Sequence, residues 1–209
     1  MQYSLEQLNY FRICHVGFNL VPEGLRQIFR QEWDFRYKTA SGGEWQEMPH
    51  NGHDFYSKEG KKSHSKNARY LTTIKNGNTA EWDCTCLFFA ILFSDSIGTT
   101  LSHAIRNEVD DLRQVRNDIA HNSEAKLTDA EFQNYMTRMM HSFTSLGLPV
   151  KDIEAVKKQM SFPTAELQRL QSDIDKLKQE LTSKESSLQL ALNTLEIKEK
   201  EVEALAQEV

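Results

Sequence analysis

The stretch "VDDLRQVRNDIAHNS", Val109 to Ser123, carries an apolar residue every third or fourth position and so reads as helix rather than strand. Extended back to Leu101 and projected at about 100° per residue, it sets Leu101, Ile105, Val109, Leu112, Val115, Ile119 and Ala120 on one arc of about 140°. That arc is the expected core face. Arg106, Asp110, Arg113, Arg116, Asn117 and His121 share the opposite side, so two questions follow at once: what the apolar face packs against, and whether the polar face is chemistry or a solvated surface.

The neighbouring segments are helical too. Downstream, "TDAE" at Thr128–Glu131 is a capping box ahead of Phe132, Met136, Met139, Met140 and Phe143, a core-forming spacing, and Leu148–Pro149 breaks the pattern before a short helix and linker over 150–162. Upstream, "AEWDCTCLFFAILFSDSIG" is apolar nearly all round, as in a helix at the centre of a bundle, with Gly98 expected to end it and Thr99 or Thr100 to cap the next helix. "NARYLTTIK" predicts a short helix closed by "NGN". Ser4 and Gln7 suggest a capping box for a first helix, and Pro22 suits the first position of a second one with Leu25, Ile28, Phe29 and Trp33 on one side. From about 39 to 67 the periodicity disappears, which predicts a long surface loop. No segment alternates as a strand does. The expected class is all-α, with a helical head over 1–149.

The tail, 163–209, reads differently. Leu167, Leu170, Ile174, Leu177, Leu181, Leu188, Leu195, Val202 and Leu205 follow alternating steps of three and four, interrupted by Lys184 and Lys198. That is a heptad repeat, and a coiled coil is expected, with a parallel homodimer favoured, strand number open, and the repeat continuing in register to the chain end. The tail holds 6 basic and 10 acidic residues, leaving 19 and 20 in the rest of the chain. A nearly neutral head is no general argument for nucleic acid, although a local patch remains compatible with it.

Composition narrows the rest. Three cysteines with no paired spacing predict free thiols in a reducing compartment, cytoplasm or nucleus. No leader is expected, and the longest apolar run, Cys86–Phe93, is too short to span a bilayer, so no membrane association is expected. His50, His53 and His64 lack partners at metal-ligand spacing, so neither metal nor cofactor is expected. No hydrolase or phosphate-loop motif is present.

"RNDIAH", Arg116 to His121, matches the RNxxxH motif of the HEPN superfamily of helical, nucleic-acid-associated domains. The order "AEWDC", "VDDLRQVRNDIAH" and "LTDAEFQNYM" ending in "LGLP" resembles the HEPN domain of the DAZ-interacting zinc-finger ubiquitin ligase and its invertebrate relatives, over roughly residues 1–149. What the resemblance implies is an RNA-binding module, with metal-independent endoribonuclease activity where two motif helices meet across a dimer. His121 would then act as general base or acid, Arg116 would stabilise the phosphorane-like transition state, and Asn117 would orient both. Arg113 and Arg106 on the same face, with Lys58, Lys61, Lys62, Lys66 and Arg69, would contact the RNA backbone. The residues themselves leave other readings open: Asp110 or Asp118 pairing with Arg113 or Arg116, and His121 capping the helix end. The alternative function is a non-enzymatic protein-interaction or oligomerisation module of a larger signalling, innate-defence or ubiquitin-ligase-like protein.

Overall fold

The computed structural model describes residues 3–39, 43–162 and 164–207. The described residues contain helices and no strand, and the chain is all-α with a long carboxyl-terminal helix. No helix among them is long and apolar enough to cross a membrane.

Helix α1, Leu5–His15, begins with the capping box: Ser4 Oγ accepts from the Gln7 amide at 3.2 Å and Gln7 Oε1 accepts from the Ser4 amide at 3.0 Å. The chain then runs without a break through a π-helical turn, Val16–Leu20, into α2, Val21–Tyr37. Pro22 therefore does not open a separate helix. The π turn carries the helix past a residue that has no N–H to donate, the Val21 amide reaching back to the Val16 carbonyl.

Leu25, Ile28, Phe29 and Trp33 are buried on α2. Around them Trp45, Phe55 and Trp82 close an aromatic cluster, with Phe29 edge-on to Trp45 at 4.7 Å and to Trp82 at 4.9 Å between ring centroids. Phe55 shows why the expected long loop is instead largely helical: α3, Pro49–Lys58, is anchored by that one fully buried ring, and α4, Lys61–Lys66, follows directly. Asn51 is buried as well, donating to the Glu44 carbonyl and accepting from the Gln46 amide. Polar residues filling buried helical positions hide the periodicity.

Helix α5, Ala68–Ile74, ends in a turn at Gly77, whose φ of 72° suits glycine. The central segment comprises α6, Cys84–Phe88, and a π-helical turn, Phe89–Phe93; Leu87 to Leu92 are buried and Phe93 emerges 57% exposed. It stops at Ser94, not at Gly98, because the Ser94 hydroxyl accepts from the Ile97 and Gly98 amides and draws the chain into a bend. The next helix, α7, His103–His121, is capped by Ser102, which accepts from the Ile105 amide, rather than by Thr99 or Thr100. Its apolar arc is buried apart from half-buried Ile105. Helix α8, Asp129–Ser145, starts at the Thr128–Glu131 capping box and packs along α7, and α9 spans Lys151–Lys157.

Helix α10, Thr164–Gln207, revises the expected organisation. Its first turns lie against α1 and α7 of the same chain, and Leu167, Leu170, Ile174 and Leu177 are buried there. Leu170 and Ile174 belong to the main core and Leu167 packs with Leu8 and Phe162. These positions are intramolecular because the head presents an apolar surface that the seam covers, so the head extends well past residue 149. Leu181 is half-buried, and beyond it Leu188 and Leu195 are 61% and 57% exposed. Val202 and Leu205 lie outside the residues whose side chains are described.

Candidate nucleic-acid interface

Of the polar side of α7, Arg113, Arg116 and Asn117 lie beside residues of α6, the α4–α5 junction and α10. Arg116, at the start of "RNDIAH", is buried, and its Nη2 donates to Thr85 Oγ1 at 3.1 Å. Its Nε is buried without a hydrogen-bond partner, and among the described residues no carboxylate stands within ion-pair distance of this guanidinium. A guanidinium that lines cavities and has no counter-ion of its own is open to an external anion.

Arg116 and half-buried Asn117 line a groove of about 560 Å³. Lys66, Asn67, Arg113 and Lys184 are cationic or polar members of its wall, while Tyr70, Phe89 and Phe93 supply aromatic surface, Tyr70 and Phe89 stacking at 5.1 Å. Its one acid, Glu180 on α10, is engaged by Arg69 at 3.0 Å. Arg113 Nε holds Asp110 at 2.7 Å. Burial pushes the Asp110 carboxyl up, but hydrogen bonds from Arg113 and Gln114 and the Arg113 and Arg106 charges bring it below its ordinary value. Leu177 and Glu180 also line a second cavity, of about 580 Å³, on the other side of Arg116, so α10 bridges the trench in which that arginine sits. Cys84 lines this second cavity; burial pushes its thiol up to about 11 despite the opposing Arg116 charge, so it stays protonated at neutral pH.

The other expected residues are dispersed. His121 is exposed and lines a separate depression with Glu6, Glu124, Lys126 and Glu131. Asp118 faces Arg138 at 3.8 Å, not Arg116. Arg106 is a structural residue, donating to the Leu92 carbonyl at 3.0 Å and to the Gly98 carbonyl, where it ties α7 to the end of the central segment. Lys58 pairs with Asp54 and lies 4.6 Å over the Tyr37 ring. Lys61, Lys62 and Lys66 are exposed, and of the three only Lys66 reaches the groove.

The groove members not foreseen include Thr85, Tyr70, Phe93, Glu180 and Lys184. Lys184 carried a signal, as a charge interrupting a leucine seam; Phe93 carried none, since an apolar run does not reveal which ring faces water. No group of three or more His, Cys, Asp or Glu that could hold a metal ion occurs among the described residues. No family model matches this chain, and no curated protein or solved structure matches it.

Proposed function

We propose that the chain is an RNA-binding module of the HEPN type, taking single-stranded RNA in the groove over Arg116. The observation that carries the reading is a buried arginine without a carboxylate partner, set in a groove that adds Lys66, Arg113, Asn117 and Lys184 to an exposed aromatic ring, Phe93. Cations that follow a phosphate backbone beside rings on which bases stack are what single-stranded nucleic acid requires. The three unpaired cysteines fit a reducing compartment, and the proposed site of action is the cytoplasm. The reading is one of binding. Cleavage would need an imidazole within hydrogen-bond reach of the phosphate held at Arg116, and His121 lines a different depression.

The test is fluorescence anisotropy with a labelled, mixed-sequence single-stranded RNA. Lys66→Gln and Arg113→Gln should each lower the salt dependence by about one phosphate contact. Phe93→Ala should weaken binding by about tenfold, as loss of one stacked base does. No binding at low salt, or binding that ignores all three changes, overturns the reading.

A second reading, an oligomerisation or protein-interaction module, is favoured by a specific feature: Leu188, Leu192 and Leu195 stand at least half exposed on α10.

A further inference from the structure

The leucine seam of α10 changes role at Leu181. Before it, Leu170, Ile174 and Leu177 are buried in the chain's own core; after it, Lys184, Leu188, Ala191, Leu195 and Lys198 lie exposed along the same line. An exposed leucine line on a regular helix calls for a covering partner. Counted in heptads from Leu167, one seam position reads Leu167, Ile174, Leu181, Leu188 and Leu195, and the other reads Leu170, Leu177, Lys184, Ala191 and Lys198. Both lysines fall on the second position and none on the first.

This distribution bears on orientation. In a parallel pair in register, like positions meet, so Lys184 would stack on Lys184 of the second copy and Lys198 on its Lys198, two like-charge layers in a short seam. Reversing one helix sets the first position of one copy against the second position of the other. Each lysine then meets a leucine or valine, lays its methylene stem over it and carries its ammonium to water. Ala191 meets a large residue in the same way. The exposed seam complements itself only when reversed.

We propose that the seam of α10 beyond Leu181 binds a second copy of this chain in antiparallel orientation. With Leu188 opposite Ala191 or Lys198 of the second copy, the two Leu177 residues stand 25 or 32 residues apart along the axis, about 37 Å or more at 1.5 Å per residue. Since Leu177 adjoins Arg116 in both cavities, the two grooves open separately at opposite ends of the pair. Each head would bind its ligand alone, and this tail would not bring two "RNDIAH" helices together.

The experiment uses the full chain with Ser172→Cys, an exposed position on α10, carrying a spin label; Cys14, Cys84 and Cys86 are buried and stay unlabelled. Antiparallel pairing separates the labels by at least 35 residues along the axis, so pulsed electron resonance should read about 50 Å or more. A distance below about 30 Å, as parallel pairing gives, overturns the proposal, and so does a monomer by light scattering. In a second measurement, Leu188→Glu with Leu195→Glu should convert the dimer to monomer with the thermal midpoint of the head unchanged. A dimer that persists in this variant shows that another surface mediates pairing, and the proposal falls.

Discussion

Arg116, buried on α7, and Arg138, half-buried on the neighbouring α8, have surroundings that predict opposite outcomes. Arg138 on α8 holds Asp111 of α7 through Nη2 at 2.5 Å and Nε at 3.1 Å and faces Asp118 as well. Its bridge joins two helices with bidentate geometry, and Arg138→Leu should cost about 1 kcal/mol in urea denaturation. Arg116 has a threonine hydroxyl and no carboxylate. Replacing an uncompensated buried charge by an apolar side chain of similar reach removes a desolvation cost, so Arg116→Leu should leave stability unchanged or raise it by about 1 kcal/mol while weakening RNA binding. A residue whose removal stabilises the protein and abolishes an interaction is kept for the interaction. A drop of several kcal/mol would instead mark Arg116 as a structural element of the core.

At the scale of elements, the elbow between α3 and α4 is held by Glu59, which is buried and accepts from Ser63 Oγ at 2.6 Å and from the Asp95 and Ser96 amides at 3.1 and 3.0 Å. It binds the first part of the chain to the end of the central segment. Glu59→Ala would leave two inward-facing amides without an acceptor, and a loss of about 3 kcal/mol is expected in chemical denaturation, with Glu59→Gln losing less because one acceptor oxygen survives. The same elbow shows where the sequence stops being informative. Helices α1, α7 and α8 were legible from residues alone because hydrophobic spacing is a local property, as were the capping boxes of α1 and α8, whereas the cap of α7 fell on Ser102 and not on Thr99 or Thr100. Helix α3 was not, because its inward side is built of Asn51, Gly52 and a single ring, Phe55. Gly52 must be small there: a Cβ would press on the carbonyls of Ile74 and Lys75. Such positions become inward-facing only through contacts with distant residues. The candidate site divides along the same line. Arg116, Asn117 and Arg113 share a face that helical projection exposes, whereas the roles of Arg106 and Lys58 depend on the carbonyls and rings that the fold brings to them.

For the whole molecule, the decisive fact is that one helix changes surroundings along its length, its seam buried in the head as far as Leu177 and exposed beyond Leu181. A heptad repeat read in isolation calls for a partner chain along its full length, because spacing does not distinguish a seam covered by another copy from one covered by the chain's own head. The boundary becomes visible only where burial changes, near Leu181. A truncation series separates the two uses. A chain ending at residue 183 keeps Leu170, Ile174 and Leu177 in place, together with the Arg69 to Glu180 ion pair, and should retain the thermal midpoint of the full chain while being monomeric. A chain ending at residue 162 uncovers the surface those three side chains bury and should lose stability by at most roughly 5 to 9 kcal/mol, at about 1.5–3 kcal/mol for each buried side chain. It should also lose one wall of the groove, since Leu177, Glu180, Leu181 and Lys184 line it. Equal melting of the two truncations would mean that α10 contributes nothing to the head and that the buried seam is not part of its core.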